Sequence, residues 1–397
     1  MREMAFAKSA SHDVIASEQE LADLVRQIEA ADRVALDTEA DSLHSYREKL
    51  CLIQLSAPGA VLSSEFEEPR GANIELFPRG PSSSLSKTDN RQHDFIVDPL
   101  SDLDLQPLRC ALERREIVLH AADYDLRMLR RGLNFAASRI FDTVIAARLL
   151  GIREFSLGAL VKRFFNVELH KHSQKANWAL RPLPARMLRY AVDDVHYLLP
   201  LAAKLEEELD RIHRRDWFRQ SCGRAIELAA AERRRVQDDL WRIEGAGALD
   251  PHAGAVLRAL WLWREAEAEI SDRPPFHILH NRELLKAAEI FNLGEVPEFK
   301  HFSPRRRQTF EQAARIALRS PQSEWPVMRR RSGSRPTAEM RRRADQLRAR
   351  RDKAAEQFGL EQSFIASRGA LEAIAADPAR ATCLLVPWQR ELVGLAE

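Results

Sequence analysis

Strand-like runs occupy only the first half of this chain. Arg33–Asp37 (RVALD), Leu50–Ser56, Phe95–Val97, Ile117–His120 and Arg139–Phe141 are short and apolar. Helical patterns at Leu103–Arg114, Tyr124–Leu133, Thr143–Leu150 and Leu157–Phe165 lie among them. Strands interleaved with helices over short connections specify an α/β domain. From about Ser221 onward the strand pattern stops, and the sequence turns helical and rich in Arg and Ala. At 397 residues the chain is too long for one typical domain. The expected division is an α/β domain over residues 1–215, a helical domain over 216–320, a linker over 321–336 and a second helical module over 337–397. The linker is assigned by composition, since it holds RRRSGSRP.

Three features refine this outline. Pro184–Arg214 reads as one long helix, with Pro184 near its start and Leu188, Val192, Val195, Leu199 and Ala202 recurring at three or four. Ser63–His93 carries Gly, Pro, Ser82, Ser83, Ser84, Ser86 and Asp89-Asn90 without periodicity. It reads as a long mobile surface insertion, either a solvated loop or a functional lid. The strands on either side of it are expected to pair. In the helical half, Arg264, Ala268, Glu269, Ile278, Leu284 and Ala288 are matched 87 residues later by Arg351, Ala355, Glu356, Ile365, Leu371 and Ala375. Two related helical modules would explain the repeat.

Composition excludes several classes. Apolar residues make up 45% and charged residues 30%, so a core is possible and global disorder is not. The four cysteines have no CxxC pairing and read as reduced core residues, not a zinc site or a disulfide frame. No apolar run approaches the roughly 20 residues that cross a bilayer, and MREMAFAKSASHD lacks a secretory apolar stretch. A soluble, cytoplasmic protein without a membrane partner is the expectation. Net charge is only +2, but Arg329–Arg351 holds ten arginines against Glu339 and Asp345, and Arg305-Arg306-Arg307 adds a second run. A solvated helix face alternates sign. An unalternating basic run fits a surface that tracks a nucleic-acid backbone.

The chemistry lies in acids at strand ends and helix turns. Asp37-Thr38-Glu39 closes the strand RVAL, and residues two apart in a strand share a face. His120-Ala121-Ala122-Asp123-Tyr124-Asp125 runs from a strand into a helix. There Asp123 reads as an N-cap, which leaves Asp125 for another purpose. Tyr190 and Asp194 are one helical turn apart, whereas Asp193 points about 100° away and reads as solvated. Carboxylates from three distant segments make sense if they converge on hard cations, which take oxygen ligands. Two such ions about 4 Å apart suit an in-line phosphoryl displacement. The Tyr190 hydroxyl is placed to orient the attacking water. A free pKa near about 10 disfavours it as a base.

These motifs belong to a recognisable set. ALDTEADSLHSYREKLCLIQLS, VLHAADYDLRML and RYAVDDVHYLLPL stand in order. SLGALVKRFFNVELHKHSQKANWALRPL, with Ser173, Trp178, Arg181 and Pro182, precedes the third. Over Leu21–Ile212 the chain resembles the DEDD exonuclease superfamily in its tyrosine-containing ribonuclease D branch. The Arg264 and Arg351 repeats resemble HRDC modules, the second more loosely.

The resemblance implies a ribonuclease H-like mixed sheet followed by helical HRDC-like modules. It implies hydrolysis of RNA from the 3′ end, with release of nucleoside 5′-monophosphates. The metal ligands would be Asp37, Glu39, Asp125 and Asp194, holding two divalent cations, Mg²⁺ or Mn²⁺, with Tyr190 as the catalytic tyrosine. The implied substrate is RNA with a single-stranded 3′ end, tRNA precursors foremost. The same chemistry on DNA, and a non-catalytic RNA-binding adaptor on a nuclease fold, are the alternatives.

Four further residues are candidates for substrate contact. Thr38 lies between two expected ligands. His120, at a strand end, reads as a substrate contact or a structural histidine. Trp178 and Arg181 suit an unstacked base and a phosphate, with packing of Trp178 beneath the site as the other reading. His170 and His172 have no zinc-like spacing. Trp241, Trp261 and Trp263 fall at helical core positions.

Overall fold

The structure, a computed structural model, describes residues 14–58, 92–169, 173–231, 239–328 and 336–395. The expected insertion falls outside this set except for its end, where Gln92 and His93 open a strand. His170, His172 and most of RRRSGSRP also lie outside it.

Among the described residues six strands form one mixed sheet. They are β1 (Val14–Ile15), β2 (Arg33–Ala40), β3 (Leu50–Pro58), β4 (Gln92–Val97), β5 (Glu116–Leu119) and β6 (Arg139–Asp142). Their order is β1-β4-β3-β2-β5-β6. β1 runs parallel to β4, β2 to β5 and β5 to β6, while β3 and β4 are antiparallel, with Ile53 opposite Val97 and Pro58 opposite Gln92. The strands flanking the insertion therefore pair as expected. β3 is buried from Leu50 to Ala57, and its near-continuous apolar run is the signature of a strand covered on both faces.

Helices α1 (Glu18–Ala30), α2 (Gln106–Glu113), α3 (Asp123–Leu133), α4 (Thr143–Leu149) and α5 (Leu157–Phe165) complete the α/β arrangement. The two-residue β1 and helix α1 were not part of the sequence reading. α1 nevertheless carries a capping box, in which Ser17 and Glu20 satisfy each other's backbone N–H groups.

The helix expected over 184–214 is two helices, α6 (Ala185–His196) and α7 (Leu198–Arg211), joined at Tyr197. Pro200 is the reason. It has no N–H to donate and its ring opposes the carbonyl four residues back, at His196, so it is tolerated only in a first turn. The apolar periodicity runs on through the break, which is why pattern alone reads it as continuous.

The remaining helices are α8 (Arg215–Ala230), α9 (Pro251–Ile270), α10 (Pro275–Ile278), α11 (Asn281–Asn292), α12 (Pro304–Leu318), α13 (Ala338–Phe358), α14 (Gln362–Ile365), α15 (Arg368–Ala376), α16 (Ala381–Leu384) and α17 (Pro387–Leu392). Trp241 and Trp263 enter the core around α9, α11 and α12, with Trp261 packed at its edge. The 87-residue repeat has a structural counterpart. Arg264 is buried and donates from Nη1 to the Leu279 carbonyl at 3.2 Å, and Arg351 does the same to Ala366 at 3.2 Å. Each guanidinium also pairs with the acid that follows it, Glu265 or Asp352. Ile278 and Ile365, Leu284 and Leu371, and Ala288 and Ala375 are all buried.

The chain forms two compact units. One comprises 1–38, 52–173 and 183–226; the other comprises 39–51, 174–182 and 227–397. Two short segments that the sequence reading assigned to the α/β domain thus belong to the unit that contains the helical modules. Within that unit the Tyr46 N–H donates to Asp272 Oδ1 at 3.1 Å, Arg47 pairs with Glu269 at 2.9 Å, and Tyr46 packs against the core of α9, α11 and α12.

Candidate active site

β2 is buried on both faces along its middle and alternates only towards its end. Val34, Ala35 and Leu36 are buried, Asp37 and Glu39 are half-exposed, and Thr38 between them is buried. Helix α6 presents Tyr190 and Asp194 one turn apart. Asp37, Glu39 and Asp194 each offer a carboxylate oxygen, and these atoms all lie within 4.8 Å of one another. Among the described residues no other group of three or more His, Cys, Asp or Glu side chains is so arranged.

Asp125 stands outside that trio and is joined to it through Thr38. Its Oδ1 accepts the Thr38 hydroxyl at 2.6 Å and the Thr38 N–H at 3.2 Å. It is 5% exposed, in the first turn of α3. Burial pushes its carboxyl up to about 7, against the lowering effect of the Thr38 bonds, and the nearby Asp142 charge pushes the same way. Asp194 is also pushed up to about 7, first by burial and then by the charges of Asp193 and Asp125, while the Tyr190 hydroxyl donates to it and opposes the shift. Acids held back from ionising by burial and by one another are stabilised by a hard divalent cation. An all-oxygen donor set of carboxylates fits Mg²⁺ or Mn²⁺.

Several sequence expectations change here. Trp178 is 1% exposed, so it packs in the interior and offers no face to a base. Arg181 is a clasp: Nη1 donates to the carbonyls of Trp178 (2.8 Å) and Leu180 (2.7 Å), and Nη2 to that of Cys51 (2.8 Å). The guanidinium thus braces the backbone of two segments. Thr38 spends its hydroxyl on Asp125. His120 is held by Thr143 Oγ1 at 2.8 Å, and burial drives its pKa down to about 4, which favours the neutral imidazole. Asp123 is exposed, lies in the first turn of α3 and pairs with Arg127; the N-cap is Ala122, which has no side-chain cap bond.

The residue that the sequence reading passed over is Asp142. Its carboxylate is 4% exposed and accepts N–H groups from Ala121 (3.3 Å), Ala122 (2.9 Å), Val144 (2.8 Å) and Ile145 (3.3 Å). An Asp before a helix that begins at Thr143 is a readable N-cap signal. Its second duty, to a turn 20 residues upstream, is visible only in three dimensions.

The basic run is also partly internal. Arg351 is buried, Arg343 bonds Glu339 and the Ala375 carbonyl, Arg348 pairs with Asp345, and Arg350 donates to the Gly394 carbonyl. Arg341 and Arg342 remain exposed, on a shallow groove of α13 with Gln346.

Comparison with known proteins defines the class. A 3′–5′ exonuclease family matches residues 13–210, and an HRDC domain family matches residues 253–298. Ribonuclease D of Pseudomonas paraeruginosa is 31% identical over 264 residues, covering 62% of this chain and 67% of that protein. The chain therefore belongs to the ribonuclease D family of 3′–5′ exoribonucleases. Human exosome complex component 10 is 28% identical over 294 residues but is spanned for only 28% of its length. The crystal structure of Escherichia coli RNase D, titled an exoribonuclease involved in structured RNA processing, shares the fold, with TM-score 0.68, 22% identity and 96% of each chain covered. A crystal structure from Bifidobacterium adolescentis superposes with TM-score 0.73 at 22% identity, covering 96% of this chain and 94% of that one. Among the described residues no helix is long and apolar enough to cross a membrane.

Proposed function

We propose that this chain trims RNA from the 3′ end by metal-dependent hydrolysis and releases nucleoside 5′-monophosphates. Asp37, Glu39, Asp125 and Asp194 are the residues that would hold two divalent cations, Mg²⁺ or Mn²⁺. Bound there, such ions supply Lewis-acid stabilisation of the charge that develops in an in-line phosphoryl displacement. Tyr190 orients the attacking water from one turn before Asp194, a role for which a hydroxyl suffices. Thr38 sits between two ligands and fixes a third. The supporting observation is the approach of Asp37, Glu39 and Asp194 to within 4.8 Å, from a strand and a helix about 150 residues apart.

The substrate we favour is structured RNA with a single-stranded 3′ end, tRNA precursors included, acted on in the cytoplasm. The E. coli relative, involved in structured RNA processing, supports this reading. Exposed Arg341 and Arg342 would then meet backbone phosphates. The test is incubation of the full chain with 3′-overhanging RNA and the matching DNA, each labelled at the 5′ end, with Mn²⁺, Mg²⁺ or a chelator. A ladder shortening from the 3′ end, with 5′-mononucleotide products from RNA that the chelator abolishes, is expected. Equal rates on DNA would move the activity to the DNA alternative, and binding without cleavage would move it to the adaptor.

A further inference from the structure

Four backbone N–H groups from two helix starts converge on the single buried carboxylate of Asp142. Two of them, Val144 and Ile145, belong to α4, which Asp142 caps in the ordinary way. The other two, Ala121 and Ala122, belong to the turn that launches α3. That turn has no cap of its own, and Ala121 is in the left-handed region at φ 62°. A non-glycine residue is disfavoured there and persists only where its surroundings hold it. Pairing of Leu119 with Asp142 across β5 and β6 brings the carboxylate to this point.

Asp125 lies only three residues past Ala122. Each helical residue turns about 100° and rises about 1.5 Å, so a change in where α3 begins swings Asp125 away from Thr38. We propose that Asp142 is a positioning residue for the active site: by tying the Ala121–Ala122 turn it sets where α3 starts, and so where the Asp125 carboxylate stands. This rests on the metal-dependent reading above.

Asp142→Asn breaks one arm of this tie. The amide oxygen, standing at Oδ1, can still serve Val144, Ile145 and Ala121, but the NH₂ group then opposes the Ala122 N–H, donor against donor. In the full chain, Mn²⁺ binding followed by electron paramagnetic resonance should weaken by about tenfold or more, the range seen when a group supporting a metal ligand is removed. The Mn²⁺ concentration for half-maximal RNA hydrolysis should rise alongside, with RNA affinity in chelator unchanged. Adding Ala121→Gly, which takes up the left-handed turn without strain, should restore part of the Mn²⁺ affinity. Loss of a negative charge alone would not be reversed that way. If Asp142→Asn does not fold, the double variant is compared directly with wild type and should still bind Mn²⁺ more weakly. Mn²⁺ affinity equal to wild type, with only the melting temperature lowered, would overturn the proposal, as would the absence of any rescue. A wild-type chain that binds Mn²⁺ but cleaves no RNA overturns the proposed activity instead, and the Mn²⁺ comparison still decides the role of Asp142.

Discussion

Asp194 sits in a conflict between charges: half-buried, beside Asp193, and within the field of Asp125. Without a cation the acids near it repel one another, and the molecule bears that cost in stability. Asp194→Asn should therefore leave the metal-free protein as stable as wild type or raise its melting temperature by about 2 °C. The same change should remove most of the stabilisation that added Mn²⁺ confers on wild type. Calorimetry with and without Mn²⁺ checks both; a marked fall in the metal-free variant would mean the carboxylate is a structural acceptor. Tyr190→Phe removes one hydroxyl and keeps the ring. Single-turnover hydrolysis should slow by about 10²-fold with Mn²⁺ binding retained, and an unchanged rate would reduce Tyr190 to packing.

Elements show how one pattern can hide a break and another can hide a clasp. Pro200 divides a continuous apolar stripe into α6 and α7, so Tyr190 and Asp194 belong to a short helix that ends two residues after Asp194. In the helical half, Arg264 and Arg351 each bury a guanidinium to hold the carbonyl 15 residues ahead, at the end of a one-turn helix. Replacing either with Met leaves a buried carbonyl without its charged donor, at a cost of roughly 1.5–3 kcal/mol. Arg351→Met should lower the stability of α13–α15, read by hydrogen exchange in that region, with little effect on exchange in α9–α11. Arg264→Met should do the reverse. Uniform loss across both would show that the two repeats unfold as one.

For the whole molecule, the compact units do not follow the chain continuously. Segments 39–51 and 174–182 group with the helical modules, the first of them through Tyr46 to Asp272 and Arg47 to Glu269. A chain ending near Asp216 would lack Asp272 and Glu269, against which Tyr46 and Arg47 are held. It should melt lower than the full chain and hydrolyse even short RNA more slowly. A gentler probe is Asp272→Ala in the full chain, which removes the acceptor for the Tyr46 N–H. Exchange of the amides in 41–49 should quicken several-fold, consistent with loss of a bond contributing about 0.5–1.5 kcal/mol. Asp272→Asn, which keeps Oδ1, should not do this. Equal exchange in both would sink the anchoring role.

The α/β-then-α division, the five longer strands and the acids that end up near one another are legible in the linear sequence. Those depend on local periodicity and on residue chemistry, which a linear string carries. Only the tertiary structure decided that Trp178 is interior, that Arg181 and Arg351 spend their charge on carbonyls, and that Asp142 serves two helices. Whether a polar group faces solvent or backbone depends on what distant segments place beside it. Asp142 meets Ala122 because β5 and β6 pair in register, and no spacing along the chain records that.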